Sequence, residues 1–139
     1  MNSKLFLSLA CALSALLPSC IIAADNGPGP TPVVVDSGAL VLDWTIDGRK
    51  NPDMCDQSDS TVLDITVYTT SGASAGEFQQ SCRAFATTVD LAPGSYTADA
   101  VMLDSSGRDR TTAVHVAPFT IYGNDELSVP VDFPASSFY

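Results

Sequence analysis

Apolar side chains at every second position are the feature that most limits what this chain can become. In Leu40-Val41-Leu42-Asp43-Trp44-Thr45-Ile46, Leu40, Leu42, Trp44 and Ile46 share one face while Val41, Asp43 and Thr45 share the other. That is the period of a strand buried on one side. Val62 to Tyr68 repeats it with Leu63, Ile65 and Val67 inward, and Arg83 to Leu91 aligns Phe85, Val89 and Leu91. Tyr96 to Leu103, Thr111 to Val116 and Leu127 to Phe133 are further strands, and the short piece Glu77-Phe78-Gln79-Gln80 is predicted to pair with the second. Asp47-Gly48, Ser71-Gly72, Ala92-Pro93-Gly94 and Ser105-Ser106-Gly107 supply turns between them, because these residues accept positive φ or preset a tight bend. Pro130 cannot donate a ladder hydrogen bond, so it belongs on an edge or at a bulge. No segment carries a helical period. The expectation is all-β: a single antiparallel β-sandwich of about seven strands over residues 38–139, with a small barrel as the alternative.

The amino-terminal segment follows different rules. Lys4 is a lone positive charge, and an uninterrupted run of apolar and small residues from Leu5 to Leu17 leads to Pro18, Ser19 and Cys20, the layout of an export signal. An uncleaved anchor would need the run extended to Ala24, but Pro18 breaks such a helix. Leu17-Pro18-Ser19-Cys20 resembles the lipobox of bacterial lipoproteins, in which the cysteine is acylated, with Pro18 as a departure from the pattern. The resemblance implies cleavage after Ser19, a lipid on Cys20, and, with Ile21 next, an outer-membrane address. Cleavage after Ala24, giving a secreted or periplasmic protein, is the competing expectation. Residues 20–37 then form a tether, since Asp25-Asn26-Gly27-Pro28-Gly29-Pro30-Thr31-Pro32 has no apolar period and three prolines. Extended, it reaches roughly 50 Å at about 3.1 Å per residue.

Removal of residues 1–19 leaves 16 acidic against 5 basic residues. So negative a chain repels phosphate backbones, which argues against nucleic acid as a partner. Cysteine usage points the same way as the signal. Cys11 leaves with the signal and Cys20 is the acylation candidate, so Cys55 and Cys82 remain to pair in an oxidising compartment. Closing a loop of about 28 residues removes roughly 3.6 kcal/mol of unfolded-state entropy. A metal site on the two thiols is the rival, weakened by a single histidine and the absence of a C-x-x-C motif.

Leu91-Ala92-Pro93-Gly94-Ser95-Tyr96 resembles the L-x-P-G-x-Y corner of immunoglobulin-like, transthyretin-like and carboxypeptidase-regulatory-like sandwiches. There a tyrosine hydroxyl bonds backbone close to the corner. The antibody-type disulfide is missing, because Ala98 stands where its second cysteine would be. More widely, Trp44-Thr45-Ile46-Asp47-Gly48, Pro52, Cys55, the corner, Asp104-Ser105-Ser106-Gly107-Arg108 and Val131-Asp132-Phe133-Pro134 resemble a group of small bacterial envelope lipoproteins. That resemblance implies export and an immunoglobulin-like sandwich, and implies no chemistry.

Candidate chemistry is sparse. His115 alternates onto the face of Ala113 and Ala117, a solvent-facing strand position; as a general base it would need an oriented partner and a nucleophile motif. Asp64, Asp99 and Asp104 are candidate acids that strand-surface and hairpin roles also explain. Asp53, Asp56 and Asp59, three apart in Asp53-Met54-Cys55-Asp56-Gln57-Ser58-Asp59, are the one calcium candidate, set against a solvated turn-forming loop. Asn124-Asp125-Glu126 reads as a hairpin tip. Trp44 alternates with Leu40, Leu42 and Ile46 and belongs in the core rather than in a sugar-stacking site, whereas Tyr68, Tyr122 and Phe138 are candidates for an exposed aromatic patch. Two function classes follow. One is a membrane-tethered module for envelope structure or for recognising a protein or carbohydrate, without cofactor; the other is a small secreted hydrolase or calcium-dependent enzyme.

Overall fold

A computed structural model describes residues 36–139, so the expected signal, Cys20 and nearly all of the tether lie outside the described residues. Seven strands form: β1 (Gly38–Ile46), β2 (Val62–Thr69), β3 (Ser74–Ser81), β4 (Ala86–Leu91), β5 (Gly94–Leu103), β6 (Val114–Ile121) and β7 (Glu126–Phe133). They build two sheets, β4-β1-β7 and β3-β2-β5-β6. This is the all-β sandwich that the alternation predicts. Along β1 the burial alternates without a break, and Leu40, Leu42, Trp44 and Ile46 all face the core. Leu63, Ile65 and Val67 from β2 and Ala98, Ala100 and Met102 from β5 meet them from the other sheet, with Phe133 at the end of β7. Gly38 opens β1 where a side chain could not fit, since a Cβ there would sit 2.2 Å from the Tyr122 carbonyl oxygen.

One ladder departs from the antiparallel expectation. β1 pairs with β4 antiparallel but with β7 parallel, Ala39 opposite Glu126 through Ile46 opposite Phe133. Alternation reports which side chains face inward, and says nothing of strand direction. β7 is an edge strand, which accommodates Pro130 as expected.

Three further boundaries differ from the sequence reading. A short helix, α1 (Pro52–Gln57), occupies the loop after β1: Asn51 caps it by accepting from the Asp53 N–H, and Pro52 starts it. Strand β4 begins at Ala86 rather than Arg83, because Cys82–Ala84 make a 3₁₀ turn and Phe85 takes φ 56°. Phe85 turns its ring onto Trp44, 6.3 Å between centroids, and its carbonyl accepts the Trp44 backbone N–H. Strand β6 runs from Val114 to Ile121 and includes Pro118, whereas Thr111 precedes the strand and is buried. Thr111 Oγ1 accepts the Met102 N–H at 3.0 Å, so it ends the β5 ladder instead of extending β6. Asn124-Asp125-Glu126 is no hairpin tip either: β6 and β7 belong to different sheets, and the turn with Asn124 at φ 61° carries the chain across.

The predicted tyrosine corner forms. Between β4 and β5 the chain changes sheets, and the Tyr96 hydroxyl donates to the Ala92 carbonyl at 2.8 Å. Tyr96→Phe should lower stability by about 0.5–1.5 kcal/mol while leaving the fold intact, measured by urea unfolding with an unchanged m-value.

Candidate functional site

The sulfur cross-link lies at one end of the sandwich. Cys55, on α1, and Cys82, just after β3, are disulfide-bonded with a Cα separation of 6.1 Å, and both are buried. The Cys82 carbonyl accepts the Trp44 indole N–H at 2.9 Å. The bridge thus fastens α1 to the turn that leads into β4, and the largest core side chain is hydrogen-bonded to the same residue.

The calcium candidates are divided between a helix and the turn that follows it. Asp53 lies in the first turn of α1, and Asp56, one turn further, pairs with Arg83. Asp59 follows the helix at φ 53°, in a left-handed turn that aspartate tolerates. Among the described residues no three histidine, cysteine or acidic side chains are placed to hold a metal ion. Asp56 is engaged by Arg83, and Asp59 lies beyond the end of the six-residue helix that carries the other two.

His115 and Asp99 come together. They face each other across the β5–β6 ladder on the outer surface of the four-stranded sheet, and His115 Nδ1 lies 2.5 Å from Asp99 Oδ1. Thr66 and Glu77 continue the same row across β2 and β3. The pair orients the imidazole. With His115's side chain 79% exposed, the contact is well hydrated and contributes little to stability. Asp64, also on this face, accepts from the Gln79 side-chain amide at 2.9 Å.

Asp104 is buried and structural. Its Oδ1 accepts the N–H groups of Ser106 and Arg108 at 2.7 and 3.0 Å, and its Oδ2 accepts from the Arg108 guanidinium. The Arg108 N–H, foremost, then the Ser106 N–H and the Arg108 side chain, hold its carboxyl below the usual aspartate range, against an opposing push from desolvation. A folded-state value below the unfolded one adds stability that is fully present above the ordinary aspartate range, about 4. That stability is lost as pH falls through the folded value. Asp104→Asn should therefore unfold more readily than wild type at neutral pH, and the difference should shrink to nothing in strong acid, measured by urea unfolding across pH.

The aromatic patch does not assemble as expected. Tyr122 is 64% exposed, but Tyr68 is half-buried and Phe138 packs against the core; Tyr139, not singled out by the sequence reading, is 72% exposed. Two grooves remain. One, of about 340 Å³, follows the seam between the edge strands β6 and β7, lined by Val114, His115, Phe119, Leu127, Val129 and Asp132 among others. The other, of about 260 Å³, lies between α1 and the segment after β7, with Ile46, Met54, Ser58, Arg110, Phe138 and Tyr139 along it. Arg110 was missed because its neighbours come from three separated stretches of chain.

No family model matches the chain, and no curated protein matches it. Among solved structures, a leucine-rich repeat protein from Bacteroides thetaiotaomicron VPI-5482 is similar at a TM-score of 0.47 and 17% identity, over 73% of this chain and 14% of that one. The present domain thus spans a small fraction of that protein's length, and the likeness carries no argument about what this chain does.

Proposed function

We propose that the chain is an exported, lipid-anchored β-sandwich module of the cell envelope, serving structure or the recognition of a protein or carbohydrate. The observation that carries this reading is the buried Cys55–Cys82 bridge, because a disulfide built into a core suits a compartment outside the reducing cytosol. The sequence supports it from the other end, with an apolar leader, a cysteine at position 20 and a proline-rich stretch before the domain. A lipid on Cys20 would hold the sandwich to a membrane, and the stretch between would let its surfaces meet partners clear of the headgroups.

Growth with radiolabelled palmitate tests the reading. The wild-type protein should carry label and sediment with membranes, whereas Cys20→Ser should lose the label. An unlabelled wild type, or free thiols at Cys55 and Cys82 in the native protein, would overturn it.

A further inference from the structure

We propose that the groove between α1 and the segment after β7 binds a small carboxylate with an apolar or aromatic body, held by Arg110, a small-molecule site that goes beyond the proposed recognition of a protein or carbohydrate. The lining is mixed: Ile46 is buried and Met54 and Phe138 are partly buried against the core, while Asp47, Gln57, Ser58 and Arg110 contribute polar groups. The exposed Tyr139 also lines the groove. Arg110 is the cationic group of this lining and is itself half-buried. Its Nε donates to the Ser58 carbonyl at 3.2 Å, which fixes the guanidinium plane and leaves its other N–H groups for a second partner. Those donors form a fork suited to both oxygens of one carboxylate.

An unpaired charge together with partial burial sets this arginine apart. The chain has 16 acidic and 6 basic residues, and Lys50, Arg83 and Arg108 are each paired with an aspartate. Among the described residues Arg49 and Arg110 have no such partner, and of the two Arg49 is exposed while Arg110 is half-buried in the groove lining. An anion brought by a ligand completes the pairing. The volume, about 260 Å³, is enough for a small molecule. Asp47 on the same lining penalises a second negative charge, so the ligand is a monocarboxylate.

Titration of the oxidised, full-length protein with phenylacetate, followed by amide NMR shifts, tests the site, with phenylacetamide as the neutral control. Phenylacetate should shift the amides of Ser58, Arg110, Phe138 and Tyr139 saturably, in the millimolar range or tighter, while phenylacetamide binds at least about tenfold more weakly. Arg110→Gln should lose about tenfold in affinity with the rest of its spectrum retained, and Asp47→Asn should gain about two- to fivefold. Equal binding of acid and amide, shifts confined to the β6–β7 seam, no saturation in the wild type, or a folded Arg110→Gln with unchanged affinity would each refute the proposal. Comparison of acid with amide on the wild type settles the matter even if Arg110→Gln loosens α1. Failure here is separable from failure of the export reading, which turns on the Cys20 label.

Discussion

Trp44→Ala should leave the domain largely unfolded at 25 °C. The side chain is completely buried, and truncating a buried tryptophan costs about 3–5 kcal/mol in lost transfer energy and cavity. The substitution also removes the donor to the Cys82 carbonyl, 2.9 Å away, and an orphaned buried acceptor adds about 1–3 kcal/mol. The sum rivals the whole stability of a small domain, about 5–15 kcal/mol. Trp44→Phe separates the contributions: it keeps most of the apolar volume and the contact with Phe85, and should lose mainly the hydrogen bond. Urea unfolding of the three proteins reads the order wild type, then phenylalanine, then alanine. An alanine variant that melts within a few degrees of wild type would mean that the indole is not the keystone its burial implies.

The second large effect is covalent. Replacing Cys55 and Cys82 together by alanine should lower stability by about 3.5 kcal/mol, the entropy of closing a loop across a sequence separation of 27. At about 4 °C per kcal/mol for a domain of this size, the melting temperature should fall by about 15 °C. Reduction of the wild type should reproduce most of that drop, and an unchanged melt under reductant would contradict it. Because Trp44 bonds to the Cys82 backbone, changes at the two sites touch one network. Combining Trp44→Phe with the double alanine variant should therefore cost less than the separate losses added together.

These two predictions were within reach of the amino-acid sequence, because Trp44 keeps step with Leu40, Leu42 and Ile46, and because only two cysteines remain once the leader is set aside. Central strands β1 and β2 declared themselves for the same reason: each has one buried face, and burial alternates along almost their whole length. Edge strands are harder to read. Strand β3 buries no residue fully, so its pattern gives little sign of a strand, and β6 is interrupted by Pro118, which an edge tolerates. Helix α1 is too short for any period to appear. Its signal was local instead, in Asn51-Pro52-Asp53, a capping residue followed by a helix-starting proline and an acid. The candidate groove was illegible for another reason. Arg110, Ser58, Ile46 and Phe138 lie far apart along the chain, and only the assignment of strands to sheets brings them together. Likewise His115 and Asp99 become neighbours through the β5–β6 register.

The side-by-side placement of β1 and β7 has a consequence for how the molecule comes into being. The first strand of the domain finds one neighbour only in the last, with Ala39 opposite Glu126 and Ile46 opposite Phe133. Such distant pairing slows folding, because most of the intervening polypeptide must be gathered before the contact is rewarded. A chain threaded from its amino terminus through a narrow pore would hold β1 with that side open until residues 126–133 emerged. In such a passage the smaller sheet would be finished last, and deleting the final strand would strand the first beside an empty berth, leaving an aggregation-prone product instead of a shorter domain.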